Sequence, residues 1–98
     1  MSDVVDSPAE GRLQATVDGQ VAELVYEVEG DRMVIVHTAV PGPLGGRGLG
    51  GHLVRAAVDR AARDGLVVVP LCPFARRWMK DHPDQIGAVS VDWAGDAP

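Results

Sequence analysis

Cysteine is nearly absent from this chain: Cys72 stands alone, so no internal disulfide can form and nothing suggests an oxidising compartment. Aromatic residues are scarce too, with two Trp, one Tyr and one Phe, which leaves valine, leucine and alanine to fill a core. No apolar run is long enough for a membrane. The longest, Leu66 to Cys72, falls far short of the roughly 20 residues a spanning helix needs. The start, Met1 to Asp6, has no basic segment followed by an apolar one and is not a signal peptide, so the expected location is cytoplasmic. Positive charge is also short. Nine Lys and Arg face fourteen Asp and Glu, a formal net charge of -5, which argues against a nucleic-acid partner because phosphate binding needs a basic face. An acidic surface suits a cationic small-molecule acceptor instead.

What is present reads as one small globular domain: 98 residues, 46% hydrophobic and 23% charged. Residues 1–10 are polar, carry Pro8 and lack periodicity, so the expectation is a loose tail, with the domain over 11–94 and a short tail over 95–98. Gly11 to Val17 alternates, placing Leu13, Ala15 and Val17 on one face. Asp18-Gly19 favours a tight hairpin turn, and a second strand runs from Gln20 to about Val28. Arg32 to Val40 reads as a third strand, with Met33, Ile35 and His37 on one face. The loop from Pro41 to Gly48 breaks regular structure. From Leu49 the apolar spacing lengthens to that of an amphipathic helix, capped by Gly65. Leu66 to Leu71 suits a strand covered on both faces, Phe74 to Asp81 a short second helix after Pro73, and Ala88 to Trp93 an edge strand. The expected fold is α/β: a mixed, mostly antiparallel sheet, one main helix after a glycine-rich turn, and one short C-terminal helix.

The turn Gly45-Gly46-Arg47-Gly48-Leu49-Gly50-Gly51 is the chemically informative segment. A helix start leaves its first amides unpaired at the positive end of the helix dipole, and glycines let a pyrophosphate come close to them. A P-loop is excluded, because no Lys-Ser or Lys-Thr follows the glycines. Gly46, Gly48 and Gly51 match a dinucleotide fingerprint, but the context fails. A hairpin meander precedes the turn, and residues 66–73 hold no acidic residue for a ribose.

The remaining reading rests on four segments in order: His37-Thr38-Ala39-Val40-Pro41, Gly46-Arg47-Gly48-Leu49-Gly50, Cys72-Pro73-Phe74 and His82-Pro83. Together, over roughly residues 22–83, they resemble the GNAT superfamily of acetyl-CoA-dependent N-acetyltransferases, and within it a small single-domain group that lacks the usual N-terminal helices. The resemblance implies that acetyl-CoA is the bound co-substrate. Its pyrophosphate would lie on Gly45, Gly46, Arg47, Gly48, Leu49, Gly50 and Gly51, and its pantetheine arm along Thr38, Ala39 and Val40. Phe74 would line the channel. Two strands would splay to admit the thioester, with Cys72 near it as a neighbour or transient acyl carrier and His37 as candidate base.

Other readings stand beside these. Cys72 also suits a small buried hydrophobe, and His37 a partly buried structural histidine. The sequence departs from the resembled pattern at Gly45, Ala39 and Trp78, where Arg or Gln, Glu, and the general-acid Tyr are usual. The implied function is acetyl transfer to a small-molecule or protein amine, the alternative a non-catalytic acyl-CoA-binding module or sensor. No metal site is expected, since His37, His52, His82 and Cys72 lack ligand spacing. Val89, Val91 and Trp93 on an edge strand would suit a homodimer contact.

Overall fold

Alternation of small apolar with polar residues carries the first half of the chain into strands, and the lengthened period after the glycine turn carries the next segment into a helix. The computed structural model describes residues 4–45 and 48–93. Its strands are β1 (Val4–Ser7), β2 (Arg12–Val17), β3 (Gln20–Glu29), β4 (Arg32–Ala39) and β5 (Val67–Pro70). Its helices are α1 (Leu49–Asp64), between β4 and β5, and α2 (Pro73–Asp81), after β5. The strands form one sheet in the order β1-β2-β3-β4-β5, antiparallel except for the parallel pair β4–β5 that α1 connects. The architecture is the expected mixed sheet with one main and one short helix.

One face of the sheet is apolar because alternate residues point to it: Leu13 and Ala15, then Ala22, Leu24 and Tyr26, then Met33 and Ile35, then Val68. Against it lies the α1 stripe Leu53, Val54, Ala57, Val58 and Ala61, all at most 1% exposed. Asp18 and Gly19 both take positive φ, as the tight β2–β3 hairpin requires. Gly65 ends α1, its N–H bonded to Ala61 O.

Two expectations at the ends are corrected. Residues 4–7, expected in a loose tail, form the edge strand β1, in register from Val4↔Ala15 to Ser7↔Arg12. A polar bridge holds that edge. The Tyr26 hydroxyl donates to Asp6 Oδ1 (2.5 Å), and Arg60 Nη1 donates to Asp6 Oδ2 (2.7 Å) and to the Tyr26 oxygen (2.5 Å). Strand β1 is thereby tied to both β3 and α1. At the other end, the strand expected over residues 88–93 is a single parallel bridge, Val68↔Val91. Val89, Val91 and Trp93 pack inward on the core, Arg32 pairs with Asp92, and Lys80 stands 5.2 Å over the Trp93 ring. These side chains are used within the chain rather than held out on a free edge. The tail expected over 95–98 lies outside the described residues.

Candidate functional site

An extra residue in β4 organises the site. β3 and β4 pair in regular register up to Tyr26↔Ile35, and then the next partners are Val25↔His37, leaving Val36 unmatched. Such a bulge shifts the side-chain alternation by one. Thr38, opposite Leu24, therefore shares the core face with Ile35, while His37, opposite Val25, points to the other face and is exposed. The strand alternation read from the sequence put His37 with Met33 and Ile35; the bulge reverses it.

The same region ends the β4–β5 ladder. Parallel pairing stops at Ile35↔Pro70, where the Leu71 and Cys72 amides both donate to Ile35 O at 3.0 Å. The chain then turns into α2, whose first residue is Pro73. From Val36 onward the β4 edge that faced β5 has no strand partner among the described residues.

At this opening lies a pocket of about 340 Å³, lined by Thr38, Val40, Leu44, Gly45, Gly48, Leu49, Gly50, Gly51 and Phe74. Eight of these nine were singled out from the sequence. Leu44 was not: it lies in the proline–glycine loop yet is 1% exposed, and its apolar character between Pro43 and Gly45 was the available signal. Ala39 is not part of the lining; it pairs with Glu23 and alternates to the same face as His37. Gly46 and Arg47 lie outside the described residues.

The glycines serve different ends. Gly48 precedes α1 at φ +74° with no side-chain cap, so the first-turn amides have no side-chain acceptor. A Cβ added at Gly48 would meet nothing within 4 Å. Gly50 and Gly51 instead admit α2: a Cβ on Gly50 would lie 2.7 Å from the tip of the Phe74 ring, and one on Gly51 2.5 Å from Trp78 Nε1. Close helix approach, not only room for a phosphate, requires them.

Cys72 is 4% exposed. It sits before α2 without capping it, and its thiol donates to Thr38 Oγ1 at 3.5 Å. It therefore lies behind a residue that lines the pocket, on the opposite face of β4 from His37. Arg77, five residues along, is turned to solvent with Asp81 3.7 Å from its Nε. Trp78, at the position of the usual acid, is stacked on His82 with ring centroids 4.3 Å apart and does not line this pocket.

On the outer face, Arg12 Nη1 donates to both Glu23 oxygens at 2.8 Å and Gln14 Nε2 donates at 3.3 Å. These hydrogen bonds, Arg12 foremost, hold the Glu23 carboxyl below its ordinary value, and the charge of nearby His37 acts in the same direction. No group of three or more His, Cys, Asp or Glu side chains that could hold a metal occurs among the described residues.

A helix start with free amides, an apolar pocket beside it and an unpaired strand edge can together hold a ligand with an anionic head and a long amide-bearing arm. The chain is also similar to known proteins. A family model for the GCN5-related N-acetyl-transferase matches residues 12–89. Protein NATD1 of Gallus gallus and of Mus musculus is in each case 36% identical over 63 residues, 63% of this chain and 57% of theirs. NATD1 of Homo sapiens is also 36% identical, over 56% of its length. The matched segment thus spans little more than half of these curated relatives. In fold, the chain resembles a GCN5-like protein from Staphylococcus aureus solved by NMR in solution, with a TM-score of 0.70, 24% identity, and coverage of 93% of this chain and 91% of that one.

Proposed function

The chain belongs to the GCN5-related N-acetyltransferase family, and we propose that it binds acetyl-CoA in the pocket between β4, α1 and α2 and transfers the acetyl group to an amine. Family membership supports acyltransferase chemistry in general; acetyl-CoA as co-substrate and an amine as acceptor are the proposal. The observation that carries it is the convergence of uncapped α1 amides, an apolar pocket and the unpaired β4 edge at one opening.

In this reading the amides around Gly45 to Gly50, with Arg47, receive the pyrophosphate, and the β4 edge at Thr38 to Val40 pairs with the amides of the pantetheine arm. The thioester supplies an activated acetyl carbon where β4 and β5 part. The amine approaches from the outer face, where His37 is exposed and takes the proton that the nitrogen loses as its C–N bond forms. The C–S bond breaks, and CoA leaves as a thiolate that is protonated from solvent. Cys72, behind Thr38, shapes the wall near the acyl sulfur. The net charge of -5 favours cationic amines at the encounter stage.

The test is release of free CoA from acetyl-CoA across a panel of small primary amines, with mass detection of the acetylated amine. Amine-dependent release, reduced in His37→Ala, is expected. Release no faster than hydrolysis in buffer, with binding retained, would overturn the transferase half of the proposal and leave an acyl-CoA-binding module.

A further inference from the structure

A second pocket, of about 230 Å³, adjoins the first and shares Gly48 and Gly51 with it. Its other walls include His52 and Arg55 from α1 and Trp78 and His82 at the end of α2. Among the described residues none that lines it is acidic, in a chain whose formal net charge is -5. One turn along α1, Asp59 Oδ1 stands 3.8 Å from Arg55 Nε.

The walls are held in place. The Trp78 indole rests against Gly51, and His82 is stacked on Trp78 with its Nδ1 2.7 Å from Trp78 O. A carbonyl only accepts, so Nδ1 carries the hydrogen, and Nε2 donates to an anion only when the ring is the imidazolium. Arg55 Nη1 donates to Gln85 Oε1 at 2.8 Å, which anchors the guanidinium while most of its five N–H donors remain.

We propose that this pocket receives the 3′-phosphate of the coenzyme, with Arg55 as its principal contact and His52 and His82 beside it; the inference rests on the acyl-CoA reading above. The 5′-pyrophosphate and the 3′-phosphate of coenzyme A hang on one ribose, a few bonds apart. A ligand whose pyrophosphate lies on the first-turn amides of α1 brings its second phosphate to the neighbouring pocket, where Gly48 and Gly51 are common walls. A phosphomonoester carries nearly two negative charges near neutral pH and three acceptor oxygens. A guanidinium matches such a group with paired N–H donors.

The experiment is calorimetric titration of the wild type, Arg55→Ala and Gln85→Ala with CoA and with 3′-dephospho-CoA. The wild type is expected to bind CoA about tenfold more tightly than the dephospho form. Arg55→Ala loses that preference and binds dephospho-CoA as the wild type does. Gln85→Ala breaks the same internal contact but keeps the charge, and it keeps more of the preference than Arg55→Ala does. Equal wild-type affinity for the two ligands overturns the subsite while leaving the acyl-CoA reading intact, and this comparison needs no variant to fold. Arg55→Ala weakening both ligands alike also overturns it. No binding of either ligand by the wild type overturns the acyl-CoA reading and the subsite together.

Discussion

Gly51 of α1 and Trp78 of α2 approach so closely that a single added carbon on Gly51 would stand 2.5 Å from the indole nitrogen. In an ordinary helix, Gly→Ala gains up to about 1 kcal/mol from propensity. Here the indole cannot retreat easily, because its other neighbour is the stacked His82 ring. Gly51→Ala is therefore expected to destabilise by about 1–3 kcal/mol, the range for overpacked interiors. Gly50 offers the internal contrast. Its obstacle is the tip of Phe74, a ring 47% exposed and able to swing outward. Gly50→Ala should stay within about 1 kcal/mol of the wild type. Thermal unfolding of the two variants decides; equal effects would contradict the distinction.

The bulge at Val36 places His37 on one face of β4 and Thr38, with Cys72 behind it, on the other. His37→Ala should therefore leave acetyl-CoA affinity within about twofold and stability within about 0.5 kcal/mol, while lowering amine-dependent turnover. Calorimetry and rate measurements on one preparation check this. A large loss of affinity would place His37 in the cofactor pocket after all.

Tyr26, the only tyrosine in the chain, ties β1 to α1 through Asp6 and Arg60. Burial first, and then its bond to Asp6, pushes the phenol above its ordinary value of 10.0. The folded protein holds this proton more tightly than the unfolded chain, so the stabilisation is complete below pH 10 and is lost as pH rises through the folded-state value. Phenolate absorbance, followed against pH in the folded protein, should give a midpoint above 10. Tyr26→Phe should cost about 1 kcal/mol, because Arg60 and Asp6 still pair without the hydroxyl. A midpoint at or below 10 would contradict the bridge.

Much of the fold can be read from local pattern. The alternation around Leu13 and Leu24, the Asp18-Gly19 turn, the helical spacing from Leu49 and the cap at Gly65 are properties of short segments, and the structure follows them. What escapes the pattern depends on partners distant in sequence. β1 has only four residues, too few for periodicity, and its place depends on β2 and on Arg60, 54 positions from Asp6. The bulge leaves no mark in the alternation of residues 32–39, so the face of His37 could not be read from it. The glycine turn was legible as a helix start with unpaired amides. That Gly50 and Gly51 also make room for Phe74 and Trp78 required knowing where α2 packs. Arg55 and Gln85 are 30 positions apart and meet only through the same packing.

The most direct test of the account is titration of acetyl-CoA into the wild type and into Gly48→Asp. Gly48 stands before α1 at φ +74° with open space around it, and aspartate is among the few residues that tolerate that backbone region. The substitution clashes with nothing, costs some backbone strain that thermal unfolding reads separately, and sets a carboxylate where the pyrophosphate should lie. The account predicts saturable one-to-one binding by the wild type and at least about a tenfold loss in the folded variant. No binding by the wild type, or equal binding by both proteins, would contradict it.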